Sequence, residues 1–168
     1  MIEYVIGDAT EPQGDGNKII AHCCNDIGAW GAGFVMALSR KWKEPENKYR
    51  AWSNGRLGSN QVDDIEVPAP YRLGQMILVP VEEDIQVANM IAQEGVGWKD
   101  GIPPIRYDAL EVCLATLAFL HARRLNASVH MPRIGCGLAG GTWDKVELLI
   151  EKHLPDIRVV VYDLETVK

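Results

Sequence analysis

No apolar run in this chain of 168 residues approaches the roughly 20 residues needed to cross a bilayer. The N-terminus lacks a basic segment and a cleavage site and opens directly into strand-like sequence, so a cytoplasmic location is the expectation. Basic residues are in the minority, 17 Lys and Arg against 23 Asp and Glu, and the formal net charge is −6. That balance argues against general nucleic-acid binding, which needs a basic face. An anionic ligand would have to be held by backbone N–H groups and helix dipoles, not by a lysine cluster. Cys23, Cys24, Cys113 and Cys136 contain no C-x-x-C pair, and His22, His121, His130 and His153 show no ligand spacing. No metal site is expected, and reduced thiols fit better than a disulfide framework. There is no internal repeat, low-complexity tract or Pro/Ser-rich linker, so residues 1–168 are expected to form one domain.

Hydrophobic residues make up 47% of the chain, enough for a proper core. Strand-like runs rich in β-branched residues fall at Ile2–Ile6, Lys18–Cys23, Met76–Val81, Gln86–Ala92, Ser128–Met131 and Arg158–Tyr162. Phe34, Leu38 and Trp42 share a face at spacing four and predict a helix over 33–42. A second helix is predicted over 45–52, with Pro45 in its first turn. The clearest helix is 105–124, with Leu110, Cys113, Leu114, Leu117 and Leu120 on a buried stripe and His121, Arg123 and Arg124 at its negative end. Thr142 is positioned to cap a last helix that runs to His153, with Val146, Leu149 and Ile150 facing inward. This alternation predicts an α/β fold whose largely parallel sheet is covered on both faces. Ligands in such folds sit outside the carboxyl ends of the strands.

Three segments after predicted strands carry the candidate chemistry. Asp8, in Gly7-Asp8-Ala9-Thr10, either closes an Asx-turn or accepts a hydrogen bond from a base amino group. Asn25-Asp26-Ile27-Gly28-Ala29-Trp30-Gly31-Ala32-Gly33-Phe34 runs into a helix, whose N-terminal N–H groups attract an anion. It is neither a P-loop nor a G-x-G-x-x-G fingerprint, and its glycines serve either ligand approach or packing. Pro132-Arg133-Ile134-Gly135-Cys136-Gly137-Leu138-Ala139-Gly140-Gly141 repeats the same logic, and two such loops could close on a diphosphate from opposite sides. Arg133, the one cation in either loop, is a ligand contact or a structural partner. Cys136 is a nucleophile candidate near a helix N-terminus, or a packing and backbone-contact residue. Tyr162 with Leu164 could cover a base or belong to a fraying terminal strand. Trp30 could cover the ligand or anchor its loop.

With these segments in place, the sequence resembles the macrodomain family from Gly7 to about Leu164. The likeness is carried by Gly7-Asp8-Ala9-Thr10-Glu11-Pro12-Gln13, Ile20-Ala21-His22-Cys23, Trp30-Gly31-Ala32-Gly33, Glu44-Pro45 with Tyr49, and Ala127-Ser128-Val129-His130-Met131-Pro132-Arg133-Ile134-Gly135. Within the family it is most similar to a chromatin-remodeller macrodomain and to terminal ADP-ribose protein glycohydrolase. The resemblance implies a three-layer α/β/α fold with a mixed, largely parallel sheet, and a cleft for ADP-ribose or an ADP-ribosylated protein, with no cofactor. It implies that Asp8 and Ala9 meet the adenine, with Tyr162 and Leu164 nearby. Gly31, Ala32, Gly33 and Phe34, and Gly135, Cys136, Gly137 and Leu138, would flank the diphosphate through N–H groups. Arg133 and Ile134 would also belong to the ADP-ribose site, and Asn25 would lie near the distal ribose. Glycohydrolase relatives use a lysine and an aspartate where this chain has Gln93 and Ala139, neither of which can replace an amine nucleophile or a carboxylate base. The expected activity is ADP-ribosyl hydrolysis, which without those residues would use a substrate-assisted water, oriented by Asn25 or Asp26. The alternatives are a non-catalytic reader and an ADP-ribose-1″-phosphate phosphatase.

Overall fold

The structure, a computed structural model, describes residues 2–56 and 70–165. The elements follow in the order β1 (Ile2–Ile6), β2 (Lys18–Asn25), α1 (Phe34–Lys41), α2 (Glu44–Ser53), β3 (Met76–Glu82) and β4 (Ile85–Gln93). Then come α3 (Tyr107–Thr116), a π-helical segment (Leu117–Ala122), α4 (Arg123–Leu125), β5 (Ser128–Met131), a 3-10 turn (Gly137–Ala139), α5 (Trp143–His153) and β6 (Val159–Asp163). One six-stranded sheet has the order β1-β6-β5-β2-β4-β3. All pairings are parallel except β3 with β4, which form an antiparallel hairpin at one edge. This is the largely parallel sheet that the alternation of elements predicts, and the antiparallel edge makes it mixed, as the family resemblance implies.

The central strands show why the sheet lies between two helical layers. In β2, Ile19 and Ala21 enter one core while Ile20 and Cys24 enter the other. In β4, Ala88, Met90 and Ala92 point to the first core and Val87 and Ile91 to the second. Both strands are thus apolar on both faces, the pattern of a buried parallel sheet. The first core is closed by Leu110, Cys113 and Leu114 of α3 and by Val146 and Ile150 of α5. The second is closed by Leu38 of α1 and by Tyr49 and Trp52 of α2.

The buried stripe of the long helix departs from the sequence expectation at its end. Leu110, Cys113, Leu114 and Leu117 are fully buried, but Leu120 is 42% exposed and Ala118 and Ala122 take the inward positions. The π turn over Leu117–Ala122 inserts one residue into the helical repeat and moves the inward face by one position. Thr142 does occupy the N-cap of α5, but its side chain makes no capping hydrogen bond. Tyr162 is not in a fraying terminal strand: β6 lies between β1 and β5, and the residue is buried.

Candidate functional site

A cleft of about 670 Å³ opens at the carboxyl ends of β2, β4 and β5. Its floor is His22 to Asn25 and Gln93. One wall is Ala29 to Val35, the other Pro132 to Ala139, with Val96 at the end beside β4. Asn25, Gly31, Ala32, Gly33, Phe34 and Arg133 through Leu138 are therefore gathered around a single space. Asp8, Ala9, Asp26, Tyr162 and Leu164 are not among its lining residues. Asp8, Ala9 and Leu164 follow β1 and β6, the next strands along the sheet beyond β5. Phe34 links the two regions, because it lines the cleft and also packs against Ala9, Val160 and Tyr162.

The first wall is stapled by its own Asn25. The Asn25 Oδ1 accepts from the N–H groups of Ile27 at 3.1 Å and Ala29 at 3.0 Å, and Nδ2 donates to the Ala29 carbonyl at 2.8 Å. Two phenols complete the staple. The Tyr49 hydroxyl lies 2.8 Å from both Asn25 Oδ1 and the Asn25 carbonyl. The Tyr71 hydroxyl accepts from the Gly28 N–H at 2.7 Å, donates to the Asn25 carbonyl at 3.0 Å and meets Tyr49 at 3.1 Å. Burial pushes both phenols above their ordinary range, so they remain neutral donors. Asn25 thus shapes the loop first, with one amide hydrogen outside these bonds. Asp26 has a tethering position too, accepting from the Gly95 N–H at 2.8 Å.

The residues that follow this staple leave their amides open. Among the described residues, the turn bonds of the first wall use the N–H groups of Asp26 to Ala29 and of Met36, not those of Gly31 to Val35. Gly33, at φ 83°, is in a conformation that favours glycine. It sits directly before α1, whose first-turn amides have no intrahelical acceptor. The second wall is similar. Its turn bonds use the amides of Ile134, Cys136, Ala139, Gly140 and Gly141, not those of Gly137 and Leu138. A Cβ on Gly141 would lie 2.3 Å from the Gly135 carbonyl, so this loop closes on itself only because that side chain is missing.

The side chains around the cleft are chemically quiet. Arg133 forms a bidentate pair with Asp163, at 2.7 and 2.9 Å, and its guanidinium lies 5.3 Å from the ring centroids of both Tyr4 and Trp143. Its charge is therefore largely engaged by the protein, the structural alternative the sequence left open. Burial raises the thiols of Cys23, Cys24 and Cys136 above their usual range, which disfavours thiolate at neutral pH. His22 is driven down to about 4 by burial and held by Asn89 Oδ1 at 2.5 Å, so it is neutral. Asp8 forms the Asx-turn: its Oδ1 accepts from the Thr10 N–H and hydroxyl, both at 2.8 Å, while Oδ2 makes neither bond. Tyr162 is anchored through its hydroxyl to the Gln13 N–H and to His130 Nδ1, each at 2.8 Å. Tyr71 carried no sequence signal, and Tyr49 entered only as part of a family motif. Their hydroxyls meet Asn25 through the fold, not through spacing.

Fold and cleft together define an α/β protein in which two loops with open backbone amides face one cleft at the carboxyl ends of its strands. No protein-family profile matches the chain. A macrodomain protein from Streptomyces coelicolor is 47% identical and superposes with a TM-score of 0.79, over 97% of this chain and 99% of that one. The chain belongs to the macrodomain family. It is also 34% identical over 162 residues to the chromodomain-helicase-DNA-binding protein 1-like of Danio rerio, a match covering 91% of this chain and 14% of that much longer protein. An ADP-ribose 1''-phosphate phosphatase of Meyerozyma guilliermondii is 29% identical over 178 residues, covering 95% of this chain and 98% of that one.

Proposed function

We propose that the cleft binds ADP-ribose and that the protein hydrolyses ADP-ribose from modified proteins or related conjugates. The observation that carries the binding is the pair of facing loops whose amides, Gly31 to Val35 and Gly137 to Leu138, are not used by the turn bonds among the described residues. A diphosphate placed between them accepts from both sides. Each charged hydrogen bond contributes about 1.5–3 kcal/mol, and the N-terminus of α1 adds its dipole. Such a site needs no lysine, in keeping with a net charge of −6.

The adenine would then extend over β5 and β6 toward Asp8, whose Oδ2 is free of the Asx-turn bonds and can accept from the base amino group. The distal ribose would lie over β2 and β4, near Asn25 and Gln93. Hydrolysis would use no protein nucleophile. Water attacks the anomeric carbon while a diphosphate oxygen takes its proton, and the bond to the carrier oxygen breaks with its electron pair leaving on that oxygen. Asn25 would orient the ribose or the water through its remaining amide hydrogen, and Asp26 would act by holding the following loop.

Gln93 and Ala139 specifically favour a second reading, a reader that binds without turnover. Likeness to a phosphatase motivates a third, cleavage of ADP-ribose-1″-phosphate. One set of assays separates them. Calorimetry with ADP-ribose tests the site. Loss of label from an ADP-ribosylated protein tests hydrolysis, and release of inorganic phosphate from the 1″-phosphate tests the third reading. Tight binding with unchanged label and no phosphate release would leave only the reader. No binding would remove all three.

A further inference from the structure

The segment between β4 and α3 is an ordered loop that turns apolar side chains outward beside the cleft. Arg106 secures it from within. One guanidinium nitrogen reaches the carbonyls of Pro103, Pro104 and Ile105 at 2.6, 3.2 and 3.0 Å, and the group also pairs with Glu94 at 2.9 Å. Its tip is a two-residue hairpin, with Lys99 and Ile102 exchanging bonds of 3.0 and 2.9 Å across Asp100 and Gly101. Both turn residues have positive φ, 51° and 76°, as a type I′ turn requires. Trp98 lies against Gly140 so closely that a Cβ there would be 2.7 Å from the indole.

For all this order, Val96, Trp98 and Ile102 are 54, 60 and 56% exposed. Ile27 and Leu138 are equally open, at 61 and 64%. Val96 and Leu138 line the cleft itself, and the Asp26–Gly95 bond ties the loop that carries Ile27 to the loop that carries Val96. The apolar rim is therefore continuous with the cleft at its β4 end, where the distal ribose would present its anomeric carbon.

We infer that this rim docks the polypeptide that carries the ADP-ribose, through apolar side chains flanking the modified residue. The inference rests on the ADP-ribose reading above and names the carrier class. Separate aliphatic residues on both sides of the mouth suit the side chains of a peptide better than a continuous stack of bases. The net charge of −6 also opposes a phosphate backbone.

The test uses non-hydrolysable ADP-ribosyl peptides with either Leu/Phe or Ser/Gly flanks, an ADP-ribosyl oligonucleotide, and free ADP-ribose. Binding is measured by anisotropy or calorimetry. The apolar-flanked peptide should bind about tenfold more tightly than the polar one, a factor of about 1.4 kcal/mol that roughly 60 Å² of buried apolar surface supplies. Trp98→Ala and Ile102→Ser should each erode that preference while leaving the affinity for free ADP-ribose unchanged. Ile102 is at the hairpin tip, so its replacement checks the result if Trp98→Ala disturbs the neighbouring loop. Equal binding of the two peptides, or a preference for the oligonucleotide, would overturn the inference while the cleft stands. Failure to bind free ADP-ribose would take the cleft and its rim down together.

Discussion

Tyr71→Phe tests whether the first wall of the cleft is preorganised by its two phenols, the buried Tyr49 and the half-buried Tyr71. The substitution removes one oxygen, which accepts from the Gly28 N–H at 2.7 Å and donates to the Asn25 carbonyl at 3.0 Å. The carbonyl keeps its bond from Tyr49 at 2.8 Å, so it is not orphaned. The Gly28 amide has no substitute acceptor in the staple and is only half-buried, so leaving it unsatisfied costs about 1 kcal/mol, the lower end of the range for a lost partner. For a chain of this size each kcal/mol lowers the melting temperature by roughly 2–4 °C. A second consequence separates this from ordinary destabilisation. If the loop that offers Gly31 to Val35 spends nine-tenths of its time misplaced, the apparent Kd for ADP-ribose rises tenfold.

The comparison is Val79→Ala, a buried change in β3 that costs about 1–2 kcal/mol and lies outside the cleft lining. Thermal melts and calorimetry are run on both variants. The expectation is a similar loss of stability, with weakened ADP-ribose binding in Tyr71→Phe alone. Equal loss of stability with unchanged affinity in both would refute preorganisation by the phenol pair, and Asn25 would then hold the loop unaided.

Further expectations follow from the same geometry. Asp8→Ala should weaken ADP-ribose binding about tenfold, the worth of one charge-assisted bond to the base, and an unchanged calorimetric Kd would move the adenine elsewhere. Cys136→Ser should preserve binding and any turnover, because burial keeps this thiol protonated; abolished activity in a folded variant would restore the nucleophile. Gly141→Ala must displace the Gly135 carbonyl, 2.3 Å from the new Cβ, so binding should fall well beyond tenfold, and a Kd within twofold of the native value would show that the loop yields. Stability should also decline in acid. His22 and His130 are each held near 4 by burial, against about 6.5 when unfolded. Between those values the unfolded chain binds more protons, so stability is full above about 6.5 and falls as pH drops toward 4, by up to about 1.4 kcal/mol per pH unit for each histidine. Urea titrations from pH 7 to 4.5 measure the slope, and a flat profile would mean that one or both imidazoles reach solvent.

The sequence exposes the parts of this fold that obey a period, and conceals those that depend on what crosses from another element. Six strands and the main helices follow from β-branched runs and apolar spacing, with boundaries close to those observed. Leu120 shows where periodicity ends: the π turn moves the inward face onto Ala118 and Ala122, and no residue type in the segment announces that insertion. The candidate site divides the same way. The glycine loops are legible because their amides and conformations belong to the local chain, and the acidic balance already points to backbone donors. Arg133 is not legible, since Asp163, Tyr4 and Trp143 reach it from β6, β1 and α5. Asn25 is the most instructive case. The family resemblance presents it as a group near the distal ribose, yet its carbonyl and amide oxygens are met by phenols 24 and 46 residues away. Its chemistry at the ribose, if expressed, has to use the amide hydrogen that loop construction leaves over. Under the proposed function, the placement of a hydrolytic water would be coupled to the staple, and the hydrogen bonds that shape the proposed diphosphate site would set the geometry at the anomeric carbon.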